Sequence, residues 1–121
     1  MANIVPNVKR APQGAQSIIL ATWTLGASDT GIEVDLSDYV DRSIQVEGTF
    51  GGATVTVEGS NDSTNWESLR DPQGTILAFS AAGLKQVLEA TLKLRVRSAG
   101  GTGTTVTVTL FGRTVNPLAW S

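Results

Sequence analysis

Strict two-residue alternation of apolar and polar side chains is the feature that most limits what this chain can fold into. Ile32, Val34 and Leu36 alternate with Glu33, Asp35 and Ser37, and Ile44, Val46 and Gly48 alternate with Ser43, Gln45 and Glu47. Val55, Val57 and Gly59 alternate with Thr54, Thr56 and Glu58. Leu92, Leu94 and Val96 alternate with Lys93, Arg95 and Arg97, and Val106, Val108 and Leu110 with Thr105, Thr107 and Thr109. Successive side chains of a strand point to opposite faces, so each segment reads as a strand with one buried and one wet face. Residues 17–25, 66–69, 75–80 and 84–89 add further strand-like segments. Short strands at this spacing, divided by Gly, Asp, Asn and Pro, predict an all-β fold: an antiparallel β-sandwich, jelly-roll-like or immunoglobulin-like. Residues 81–94 carry a competing helical reading, weakened by Gly83 and by the alternation after Leu92.

Two hairpins are expected. Phe50-Gly51-Gly52-Ala53 offers the two-residue glycine connection of a tight turn. Folding there sets Gly48 opposite Val55, Val46 opposite Val57 and Ile44 opposite Gly59 on one face, with Glu47 diagonal to Glu58 on the other. A slip by one residue would mix the faces, so the register is well specified. The second hairpin sets Ser98 opposite Thr104 across the loop 99–103, and leaves Lys93, Arg95 and Arg97 as an outer basic row beside a row of threonines.

At 121 residues the chain is long enough for one domain with its own core. Residues 1–16, with two prolines and no period, read as an extended N-terminal arm; residues 17–114 form the sandwich and 115–121 a loose C-terminal tail. A composition of 40% hydrophobic and 17% charged residues is not that of a disordered chain. The net charge of -2 gives no general attraction for nucleic acid or anionic membranes, and neither is expected as a partner. With no cysteine and no histidine, disulfides, zinc sites built on those residues and Ser-His-Asp triads are excluded. No cofactor or metal is expected. Pro6, Lys9, Arg10 and Pro12 interrupt the N-terminal apolar residues, which argues against a secretory signal and for assembly in the cytoplasm.

The stretch 57–69 (VEGSNDSTNWESL) gathers Asn61, Asp62, Asn65 and Trp66 into what could be a ligand loop. Calcium loops concentrate several oxygen ligands, whereas Asp62 is the one acid between Glu58 and Glu67. Asn and Asp also bond their own backbone two residues on, so a turn is the simpler reading, with Trp66 capping the edge of the core. Glu47 and Glu58, about 7–8 Å apart in the expected register, fall within the carboxylate spacing of glycosidases. They sit on a flat open face, however, and no enzyme activity is expected. The basic row reads either as a solvated face or as a docking face for an acidic protein surface. No aromatic interleaves with its three charges, as a single-stranded nucleic-acid platform would need. Trp120, at the penultimate position, either folds back or anchors in a partner.

The runs 41–66 (DRSIQVEGTFGGATVTVEGSNDSTNW) and 71–97 (DPQGTILAFSAAGLKQVLEATLKLRVR) resemble small β-sandwich virion proteins of tailed bacteriophages, the head decoration, cement or auxiliary proteins. The resemblance spans roughly residues 30–112. It implies a structural role on the virion: binding the major capsid protein and reinforcing the head, as a homo-oligomer for which a trimer is the expectation. The contacting residues expected are Ile4, Val5, Lys9 and Arg10 in the arm, Lys93, Arg95 and Arg97 in the basic row, and Trp120. The strand, Asn-Asp turn and tryptophan are also similar to galactose-binding jelly-roll domains. That alternative implies a carbohydrate-binding or adhesion module on a phage head or tail, with Trp23 or Trp66 facing solvent.

Overall fold

The computed structural model describes residues 3–13 and 16–114. Among them the chain is all strand and loop: β1 (Asn3–Ile4), β2 (Asn7–Gln13), β3 (Gln16–Leu25), β4 (Thr30–Gly31), β5 (Val34–Asp35), β6 (Asp41–Thr49), β7 (Thr54–Ser60), β8 (Glu67–Ser68), β9 (Ala78–Phe79), β10 (Gly83–Val87), β11 (Lys93–Ala99) and β12 (Thr105–Arg113). Sheet I runs β10-β6-β12-β3-β2. Sheet II runs β1-β4-β11-β7-β8, with β5 also on β11 and β9 also on β7. From β3 onward six of the nine connections cross from one sheet to the other, and the other three lead to short strands of sheet II. That alternation is the jelly-roll winding rather than the immunoglobulin one. Residues 81–94 contribute β10 and the start of β11, so the helical reading does not hold.

The inward faces follow the alternation within the strands, whereas Ile32 and Leu92, expected on buried faces, lie just outside strands and are 41% and 38% exposed. Trp23, Leu25, Ile44, Val46, Val55, Val57, Leu94, Val96, Val106, Val108 and Leu110 are all fully buried between the sheets. Trp23 donates its indole N–H to the Ile32 carbonyl at 2.9 Å. Gly31 makes room for it, since a Cβ there would lie 2.7 Å from the indole ring.

Strand pairing departs from expectation at both hairpins. The tight turn at 50–53 forms, with the Ala53 amide donating to the Phe50 carbonyl at 2.9 Å and with Gly51 and Gly52 at φ 58° and 89°. Its two strands nevertheless part into different sheets. β6 pairs with β12, setting Val46 beside Val108 and Ile44 beside Leu110. β7 pairs with β11, setting Val57 beside Val96 and Gly59 beside Leu94. The second expected hairpin opens in the same way, so the four strands exchange partners while each keeps its inward face. The reason is that alternation fixes which face is buried and leaves the neighbour open. An arch places two apolar stripes against each other across the core, where each covers the other. The two arch tips stack, with the Thr102 amide on the Gly51 carbonyl at 3.0 Å and the Thr104 hydroxyl on the Phe50 carbonyl at 2.8 Å.

Gly48, near the end of β6, takes φ 127°, and a Cβ there would lie 2.3 Å from the Thr105 carbonyl oxygen. Both the backbone conformation and the approach exclude a side chain. Gly48→Ala is therefore expected to cost about 2–4 kcal/mol, read as a lowered denaturation midpoint with an unchanged m-value.

The N-terminal arm is a correction of a different kind. Its described part is extended, as read, but it belongs to the sandwich. β2 lies antiparallel on β3, with Val8 beside Ala21, and β1 lies parallel to β4. The Ile32 amide donates to the Ile4 carbonyl at 2.7 Å, and Ile4 and Val8 pack against the core. The segment thus steps from sheet II to sheet I and closes the seam between them.

At the end of the sandwich away from the arch tips, Arg42 is only 2% exposed. Its guanidinium donates to the carbonyls of Tyr39, Leu36, Glu89 and Thr91 and to the Thr91 hydroxyl. Burial lowers its pKa to about 10. One side chain thereby ties the connection before β6 to the connection before β11.

Candidate interaction surface

The basic row lies on the outer face of sheet II, where β11 is flanked by β7 on one side and by β4 and β5 on the other. It is not a bare stripe. Lys93 Nζ stands 3.7 Å from Asp35, Arg95 Nε 2.9 Å from Glu58, and Arg97 Nη2 3.4 Å from the second oxygen of Glu58. Glu58 is buried between the two arginines, so the row carries three cations against two carboxylates. Arg97 remains half-exposed and presents the most accessible guanidinium of the row.

Trp66 joins this surface through β8. Pairing of Glu58 with Ser68 and of Gly59 with Glu67 carries the residue just before β8 to the same outer face. There the Arg95 guanidinium stacks over the indole, 4.2 Å from the ring centroid. Such a contact contributes about 0.5–1 kcal/mol at a partly exposed site. Trp66 is half-buried under an arginine instead of capping the core edge, and an aromatic does interleave with the basic row. No local pattern announces this neighbour, because it depends on β7 lying between β8 and β11.

The loop 60–65 closes on itself. One Asp62 oxygen accepts from the Ser60 hydroxyl at 2.9 Å and from the amides of Thr64 and Asn65 at 2.9 and 2.8 Å. The other accepts from the Asn65 side chain at 2.8 Å, and Asn61 accepts from the Leu92 amide at 2.8 Å. The Asn65 and Thr64 amides, chiefly, hold the Asp62 carboxyl well below the usual carboxylate range. Its folded pKa is thus below its unfolded value, so this contribution to loop order is complete above about pH 4 and is lost as the pH falls through the folded value. Protection of the Thr64 and Asn65 amides, as exchange relative to an unstructured chain at the same pH, is expected to fall in acid, and Asp62→Asn to remove that change in protection. The loop borders an open groove of about 620 Å³, shared with Glu67, Arg70 and Glu89.

Other sequence-predicted residues are dispersed. Glu47 and Glu58 are not diagonal neighbours, since β6 and β7 lie in different sheets and their outward faces are on opposite sides of the sandwich. The carbohydrate reading expects Trp23 or Trp66 to face solvent; Trp23 is buried, and Trp66 is half-buried at the surface. Ile4 faces the core, Val5 is exposed where the chain crosses between sheets, and Lys9 and Arg10 are exposed on β2. Lys9 and Arg10 therefore lie in sheet I, apart from the basic row in sheet II. Trp120 lies outside the described residues.

No protein-family profile matches the chain, and no curated protein matches its sequence. Solved structures do match its fold. The chain is similar to the SPBc2 prophage-derived protein YomS, with a TM-score of 0.60 at 10% identity, covering 80% of this chain and 95% of that one. It is also similar to a cupin domain from Bordetella pertussis Tohama I, with a TM-score of 0.52 at 10% identity, covering 94% and 96%. At such identities the likeness is one of fold, and it agrees with the jelly-roll winding read from the sheet order.

Proposed function

We propose that this chain is a structural virion protein of a tailed bacteriophage, a head decoration or cement protein that binds the major capsid protein and stabilises the head. The observation that carries the reading is the fold shared with a prophage-derived protein over 95% of that protein's length. The resemblance of residues 30–112 to head accessory proteins points the same way. The outer face of sheet II is the capsid-facing surface in this reading. Arg97 and Lys93 reach an acidic patch on the lattice, while Glu58 and Trp66 hold Arg95 rigid between them. Each contact is weak, and repetition over neighbouring capsid subunits supplies the avidity. The chain then resides on the capsid surface after assembly in the host cytoplasm.

The test is co-sedimentation of the full chain with heads built from the major capsid protein of the same genome. Arg97→Glu is expected to weaken binding at least tenfold and to flatten its salt dependence. Unchanged sedimentation of both Arg97→Glu and Lys93→Glu would remove this face from the mechanism.

The groove beside Asn61, Asp62 and Asn65 supports a second reading, a carbohydrate-binding module on a phage head or tail. Specific glycan binding that is lost in a folded Trp66→Ala variant would favour it over capsid binding.

A further inference from the structure

We propose that the outer face of sheet I is the interface of a two-fold symmetric pair of this chain. Its middle is uncharged: Thr22 and Thr24 of β3 and Thr107 and Thr109 of β12 lie side by side next to Leu20 and Phe111. The outer face of sheet II, by contrast, is built from ion pairs. Depletion of charge around an aromatic is the compositional mark of an interface centre.

The few charges on this face are placed for self-recognition. Asp41 and Arg113 pair with each other at one margin. Among the described residues Lys9 and Glu47 make no ion pair, and they stand at opposite corners. Lys9 shares a row with Leu20, Phe111 and Ser43, whereas Glu47 shares one with Thr107 and Thr24. Glu47 therefore lies three strand spacings across from Lys9 and four residues along, about 14 Å by about 13 Å. Glu47 rims a hollow of about 460 Å³ shared with Gln45, Gly48 and Thr107. Leu20, directly beside Lys9, is 36% exposed on the same face.

A two-fold axis lying in the plane of the face and passing between Thr109 and Thr22, which are direct neighbours, exchanges the two corners. Lys9 of each copy then meets Glu47 of the other, and Leu20 of each approaches the other's hollow. The same patch serves on both copies, as an isologous contact requires. The axis runs diagonally to the strands, so the two sheets cross steeply, as in orthogonal sheet packing. Five strands and four rows give roughly 650 Å² per copy from strand and residue spacings. The total of about 1,300 Å² falls within the range of specific complexes. The pair leaves sheet II free on both outer sides, so this inference does not depend on what sheet II binds.

Sedimentation of the full chain over a concentration series tests it. A reversible dimer is expected, with Lys9→Glu and Glu47→Lys each raising its Kd at least tenfold. The Lys9→Glu/Glu47→Lys double variant is expected to return to within about threefold of the parent. Leu20→Arg should stay monomeric at every concentration. Lys9, Glu47 and Leu20 are all exposed, and thermal melts establish that each variant is folded. Recovery in the double variant cannot arise from misfolding. A parent that is monomeric throughout, a trimer, or a dimer indifferent to the charge exchange would overturn the proposal.

Discussion

Replacing Arg42 by alanine is expected to lower stability by about 3–5 kcal/mol, because a buried group with many charged hydrogen bonds is removed and its partners stay buried. For a domain of this size that is a fall in Tm of roughly 15–30 °C. The carbonyls of Leu36, Tyr39, Glu89 and Thr91 would lose their shared donor at the end of the sandwich away from the arch tips. Arg42→Met separates the two contributions. It restores much of the volume and none of the donors, so it should recover only the packing part of the loss. A methionine variant as stable as the parent would show that the carbonyl network contributes nothing net, as replacement of some buried ions by apolar groups has shown.

Deleting residues 1–13 is expected to be the second large loss. Ile4 and Val8 pack against the core from the seam, and removing them uncovers apolar surface worth roughly 2–4 kcal/mol. β2 also covers the edge of β3, through a register running from Asn7 beside Thr22 to Gln13 beside Gln16. The uncovered edge presents unpaired amides and carbonyls, a template for association. The truncated chain should melt at least 10 °C lower and aggregate at concentrations where the parent does not. A truncated chain that melts with the parent would return this segment to the status of a free arm.

Both expectations mark where the sequence stops being legible. The alternation in β6, β7, β11 and β12 identified the inward residues correctly, since period two is a property of the strand alone. Partnership is a property of the whole winding. The Phe50–Ala53 turn has the residues of a hairpin and makes the turn hydrogen bond, yet its strands part into two sheets. The stripe Ile44-Val46 and the stripe Val55-Val57 could have lain side by side or face to face, and the local sequence is the same for both. Arg42 was invisible for a related reason. An arginine at the start of a strand is ordinarily at the surface, and the carbonyls that enclose it come from two distant connections.

The candidate surface was partly legible. Lys93, Arg95 and Arg97 point outward as their spacing required, but the acids that pair with them and the indole under Arg95 come from β5, β7 and the segment before β8. The Asp62 cluster was legible as a turn because its chemistry is local: its carboxylate is occupied by groups within three residues.

The central claim is that the chain is a structural component of a phage head. Cryo-electron microscopy of particles assembled with and without it tests that claim most directly. Jelly-roll density is expected at repeated positions on the outer surface of the head, with sheet II turned toward the major capsid protein. That density should be absent from particles lacking the chain. Identical heads in the two preparations, or density for this chain confined to the tail, would contradict it.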